Sequence, residues 1–149
     1  MPSEKEAFIR QFREIQPKFS RFFTRILTQA DLSLPQFALL SQLVNQESMS
    51  MTEVGAKLHV TKPAVTNLAD RLEKNKFLKR ISHPSDRRVS LLQIQPRGEK
   101  FVRKTQSEAL GFLLKALDSF SAAERKTITR FYALLSKTID EFLGSPRNR

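Results

Sequence analysis

The stretch TEVGAKLHVTKPAVTNLADRLEKNKFLKRISHPSDRRVSLLQI, Thr52 to Ile94, decides how the chain folds. Its first part reads as a short helix through Leu58, a tight turn at Leu58–Thr61 and a second amphipathic helix to about Asn75. That is the spacing of a helix-turn-helix. Thr61 can cap the second helix by accepting an orphan backbone N–H. Val65, Leu68 and Leu72 recur at i, i+3 and i+7 and define an inward face. Lys62, Pro63, Thr66, Asn67, Asp70 and Arg71 then fall on the outer side. FLKRI and RVSLLQI follow as two short strands joined by turn-forming residues. Asp86, Arg87 and Arg88 sit at the tip of that hairpin.

Outward from this block the chain is helical. Phe8, Phe12, Ile15, Phe19, Phe22, Phe23 and Ile26 recur at helical spacing over residues 4–29, with Pro17 expected to bend or interrupt the helix. Ser33 with Gln36, Ser50 with Glu53, and Ser121 with Glu124 read as capping boxes opening three more helices. A long helix is expected from about Pro96 to Asp118, and GSPRNR reads as a frayed tail. The predicted order is four helices, a hairpin and two helices. The fold class is mainly α (α+β winged helix), with six helices and a two-stranded β-hairpin wing. Ten of the 12 phenylalanines lie outside residues 34–94. The ends of the chain are therefore apolar and the middle is not. Phe8, Phe12 and Phe19 with Phe131, Leu135 and Phe142 are read as a dimer interface; an intramolecular bundle is the alternative.

A chain of 149 residues suits a single domain over 1–149. It has no cysteine, which excludes a disulfide scaffold and a thiolate metal site and fits the cytoplasm. The charged N-terminus has no apolar core of a signal peptide, and no run of residues is apolar enough to cross a membrane. Net charge is +11, and residues 60–104 contribute +8 of it, with 12 Lys and Arg against 4 Asp and Glu. A concentrated positive field favours an anionic partner.

Lysine can donate to guanine acceptors and asparagine can pair with adenine, so Lys62 and Asn67 at a helix N-terminus suit a major groove. Thr61 and Thr66 suit phosphate oxygens. A narrow hairpin tip carrying Arg87 and Arg88 can enter the minor groove, about 6 Å wide, where a helix cannot. Asp86 is expected to pair with one neighbouring arginine and orient the other, with Ser82, His83 and Ser85 adding phosphate contacts. Each element alone is also what an ordinary solvated surface looks like. Their succession, a reading helix followed by a basic projection, is that of a winged helix that binds double-stranded DNA.

Residues 60–98 resemble the MarR family of bacterial winged-helix regulators. DRLE at Asp70–Glu73, Arg80 at the start of the wing and DRR at Asp86–Arg88 carry the likeness. The resemblance implies a homodimeric transcriptional regulator, with a DNA-binding lobe over 32–95 and a dimerisation region formed by 1–31 and 96–149. It implies Thr61, Lys62, Pro63, Thr66, Asn67 and Arg71 as groove or phosphate contacts, and Arg87 and Arg88 as wing contacts organised by Asp86. It also implies a small aromatic ligand, for which Phe12, Arg13 and Phe19 could line a pocket. The chain departs from the family at His59 and Lys76, where glycine is common, at Asn67, where arginine is frequent, and at Gln95, which replaces a threonine cap.

The competing reading is a winged-helix module that binds protein, its basic face merely solvated; the salt dependence of duplex binding separates the two. An enzyme is not expected, nor a metal or cofactor. His59 and His83 are the only histidines and no Gly-rich phosphate loop exists, the glycines being Gly55, Gly98, Gly111 and Gly144.

Overall fold

Each capping box predicted from the sequence starts a helix. In the computed structural model, which describes residue 1 and residues 3–144, the order is α1 (Glu4–Gln29), α2 (Leu34–Leu43), β1 (Met49–Ser50), α3 (Met51–Leu58), α4 (Lys62–Lys74), β2 (Leu78–Ser82), β3 (Ser90–Ile94), α5 (Pro96–Leu117) and α6 (Ala122–Gly144). Ser33, Ser50 and Ser121 exchange reciprocal hydrogen bonds with Gln36, Glu53 and Glu124. Ser3 and Glu6 form a further box at the start of α1. Such caps contribute about 1 kcal/mol each. Beyond Gly144 the expected frayed tail lies outside the described residues.

Three features differ from the sequence reading. α1 is not interrupted at Pro17; a proline removes one i→i−4 bond, and the remaining ladder of this long helix persists. The wing belongs to a three-stranded antiparallel sheet, ordered β1-β3-β2, because Met49 and Ser50 pair with Leu92 and Leu91. Two residues are too few for a readable alternation, and Ser50 is also the cap of α3. Finally, α4 buries Val65, Ala69 and Leu72, while Leu68 is only half-buried. The inward face is thus i, i+4, i+7, and the small Ala69 lets α4 sit close to its neighbours.

Contacts divide the chain into Met1–Gln106 and Ser107–Arg149. The first unit has a continuous core in which Leu39, Leu40, Leu43, Val54, Leu78 and Leu92 are fully buried. Leu27 of α1 and Val102 of α5 are buried in it too, so this compact unit reaches beyond residues 32–95 on both sides. Truncating such a leucine to alanine costs about 2–5 kcal/mol. In the second unit α6 buries no residue, and Arg125 closes the turn before it by donating to the Leu117 and Asp118 carbonyls at 3.0 and 3.2 Å.

Three helix ends in the first unit, those of α1, α3 and α4, share one device. Asp31, His59 and Lys76 have φ of 54°, 54° and 60°, all in the left-handed region. After α1 and α4 the chain makes the paired Schellman bonds, with Leu32 N donating to Leu27 O and Phe77 N to Leu72 O, both at 2.9 Å. Glycine is the residue best suited to that conformation. The two inner glycines serve close approach instead. A Cβ on Gly98 would lie 2.2 Å from the Phe77 carbonyl oxygen, and one on Gly55 would lie 2.9 Å from that of Val60.

Lys76→Gly should therefore raise the urea-unfolding free energy by about 0.5–1 kcal/mol, because it relieves a left-handed side chain. Gly98→Ala should lower it by about 1–3 kcal/mol through overpacking. A lysine-to-glycine change that destabilises the chain would refute the strain at Lys76.

Candidate nucleic-acid interface

The surface begins at the turn between α3 and α4. His59 closes α3 in the left-handed conformation, and Val60 N donates to Gly55 O at 3.0 Å. This fold-back puts Val60 against Gly55, which is why a side chain there would clash. Thr61 then caps α4, its hydroxyl oxygen accepting from Ala64 N at 3.3 Å. Its hydroxyl proton remains available to an outside acceptor.

Lys62, Pro63, Asn67 and Arg71 are exposed on α4, as the spacing predicted. Thr66 is not equivalent to them. It is half-buried, and its hydroxyl donates to Lys62 O at 3.1 Å and lies 3.4 Å from the Met51 sulfur. With its proton engaged, Thr66 can accept but not readily donate, which suits a base amino group better than a phosphate.

The wing tip is organised by its own hydrogen bonds. His83 N donates to Val89 O, and Val89 N donates to Asp86 O, each at 3.0 Å. Asp86 Oδ1 accepts from Arg88 N at 2.9 Å, and His83 Nδ1 accepts from Ser85 N at 3.1 Å. Asp86 therefore organises the tip, but through the backbone of Arg88 and not by the expected pairing with an arginine side chain. The short aspartate reaches the amide two residues on more easily than a guanidinium that extends into solvent.

Helix and wing meet in one cleft. Lys62, from the first turn of α4, and Arg88, from the wing, line a cavity of about 400 Å³ together with Ser50, Met51, Thr52 and Ser90. Among the described residues no ion pair engages Lys62, Arg71, Arg87 or Arg88. Their charge is thus open to an outside anion. On the other flank of the wing, His83 and Asp86 line a groove with Glu53 and Ser48. The Glu53 carboxyl is held below its ordinary pKa, first by the Ser50 backbone N–H of the capping box.

One part of the surface escaped the sequence reading. Asp70, expected to face outward beside Arg71, bonds Arg80 Nη2 at 2.6 Å. Glu73 takes both Arg80 Nη1 at 2.8 Å and Arg80 N at 2.9 Å. Burial opposes the Arg80 charge, but its bonds to Asp70 and Glu73 outweigh that and raise its pKa. The available signal was the spacing: Asp70 and Glu73 stand i, i+3 on one helix, shortly before a strand that carries an arginine at its centre. For the ligand suggested at α1, Arg13 lines a groove with Glu6, Ile9 and Arg10, Phe12 is exposed and Phe19 half-buried. Among the described residues no three histidine or acidic side chains converge as a metal site, and no helix is long and apolar enough to cross a membrane.

Comparison with known proteins places these features. A sequence model of the MarR family matches residues 32–90. The HTH-type transcriptional regulator YsmB of Bacillus subtilis is 30% identical over 99 residues, covering 66% of this chain and 68% of its own. YpoP, another HTH-type transcriptional regulator of B. subtilis, is 25% identical over 138 residues, covering 92% of this chain and 94% of its own. The MepR protein of S. aureus, crystallised with DNA, superposes with a TM-score of 0.69 at 23% identity, over 88% of this chain and 96% of MepR.

Asp86→Ala should loosen the wing tip alone. The Arg88 amide should exchange with solvent markedly faster by NMR, while global stability changes by less than about 0.5 kcal/mol. Unchanged exchange at Arg88 would remove Asp86 as the organiser of the tip.

Proposed function

The chain belongs to the MarR family of transcriptional regulators, and from that premise we propose that it binds near-palindromic duplex DNA as a homodimer in the cytoplasm. The observation that carries the reading is the cleft in which Lys62 of α4 and Arg88 of the wing face one space. Two cations on separate elements, neither neutralised by an ion pair, form a surface shaped for a polyanion rather than a scatter of solvated charge.

α4 enters the major groove. Lys62 and Asn67 address base edges, while Thr61, Pro63, Thr66 and Arg71 contribute contacts to bases, sugars or phosphates at the groove margin. Arg87 and Arg88 reach the adjacent minor groove with Asp86 shaping the tip. Residues 32–95 act as the reading lobe. Residues 1–31 and 96–149 join two copies so that their α4 helices fall in successive major grooves, about 34 Å apart. The apolar surface of the last helix supports this. Leu134, Leu135 and Ile139 are 55%, 38% and 47% exposed, and a surface helix with that much bare hydrocarbon is stabilised by burying it against a partner. Phe8, Phe12, Phe19, Phe131 and Phe142 belong to the same interface. A small aromatic effector bound near Phe12, Arg13 and Phe19 would act by favouring a spacing of the lobes that mismatches the duplex. No catalytic role is assigned to any residue.

Duplex affinity should fall linearly with salt on logarithmic axes, with a slope near −0.9 per neutralised phosphate. Arg87→Ala with Arg88→Ala should flatten that slope by about 2 and still sediment as a dimer at micromolar concentration. Salt-independent or absent duplex binding by the unaltered chain would favour the protein-binding module. A monomer in the ultracentrifuge would overturn the homodimer.

A further inference from the structure

Between the reading helix and the wing stands a cation held by two carboxylates of α4. We propose that Arg80 is a positioning residue, its guanidinium clamped by Asp70 and Glu73 so that α4 and the wing meet DNA as one rigid body. This rests on the DNA-binding reading above.

β2 is an edge strand of the sheet. An edge strand leaves backbone groups without a strand partner, and the Arg80 N–H is taken instead by Glu73 Oε2 at 2.9 Å. The other oxygen of the same carboxylate accepts from Arg80 Nη1 at 2.8 Å. Glu73 thus holds both the main chain and the side chain of one strand residue. Asp70, one turn earlier on α4, takes Arg80 Nη2 at 2.6 Å. A planar guanidinium bonded through two nitrogens to two points on a helix resists rotation as well as separation. Arg80 sits in the middle of β2, and the strand rises about 3.3 Å per residue toward the tip. A small rotation at Arg80 is therefore magnified at Arg87 and Arg88.

The stability contribution of this network is modest, because Asp70 and Glu73 are 59% and 40% exposed and water screens both. Its effect is on geometry. The sign of its electrostatics makes it testable. Two carboxylates on a helix that faces DNA repel phosphates, so removing them strengthens binding if charge alone matters. If they hold Arg80, and Arg80 holds the wing, removing them weakens binding.

The test uses the full-length chain and a duplex selected from a randomised pool by the unaltered protein, with affinity read by fluorescence anisotropy at fixed salt. Asp70→Asn with Glu73→Gln keeps the side-chain shapes and adds two units of positive charge. The expected result is a loss of about tenfold in affinity, with the dimer intact and an unchanged circular dichroism spectrum. In the Arg87→Ala, Arg88→Ala background the same pair should change affinity less than about twofold, since there is no wing contact left to misplace. Arg80→Lys, which keeps the charge but loses the fork, should behave like the Asn/Gln pair. Tighter or equal binding by the Asn/Gln variant overturns the proposal. So does an equal loss in both backgrounds, which would mark a purely structural role or a direct contact by Arg80. Failure of the unaltered chain to enrich any duplex would instead overturn the DNA-binding reading, and this inference with it.

Discussion

Phe77 is the joint on which the reading surface depends. It is 2% exposed and lies where α4, β2 and α5 meet. Its N–H closes the end of α4 on Leu72 O, and its carbonyl accepts from Gln95 N at 2.9 Å. Gly98 lies against that carbonyl so closely that no side chain fits. The Arg97 guanidinium sits 4.5 Å from the ring centroid and donates to Asn75 O. Gln95 Nε2 adds a bond to Leu78 O at 2.8 Å. Strand, reading helix and the start of α5 are thus tied at one residue. The strand that leads to the wing leaves α4 at this joint, three residues before the Arg80 clamp.

On that frame the charges divide into two populations. Asp70 and Glu73 both bind Arg80 along the seam between α4 and β2, so that cation is spent within the fold. Lys62, Arg71, Arg87 and Arg88 stand apart from any described ion pair. The result is a surface whose structural charges do not compete with its binding charges. The net charge of residues 60–104 would say only that the region is basic; the pairing says which cations remain free to meet a phosphate.

Much of this was legible in the chain. Helix limits followed from caps such as Ser33 with Gln36 and Thr61, because those residues satisfy local backbone groups and need no tertiary context. The left-handed conformation at His59 and Lys76 could be suspected from positions that suit glycine. What stayed hidden was non-local. β1 exists only because Met49 and Ser50 find β3 some forty residues later. The sequence could not show that the Thr66 hydroxyl turns to Lys62 O and Met51, which leaves it an acceptor. Asp70 faces solvent as its spacing predicts, but its bond to Arg80 depends on β2. The role of Gln95 was also unreadable: in place of a cap it ties α5 to β2. A periodicity assigns a face, but not the partner that another segment delivers to it.

The wing tip has a property that reaches past this chain. Its hydrogen bonds, His83 with Val89, Val89 and Arg88 with Asp86, and Ser85 with His83, all begin and end within residues 83–89. A loop that shapes itself asks little of its host beyond two antiparallel strands in the register that pairs Ser82 with Ser90. It is therefore a portable part. Seven residues transplanted onto an unrelated two-stranded ribbon would carry the same backbone turn beneath their twin arginines.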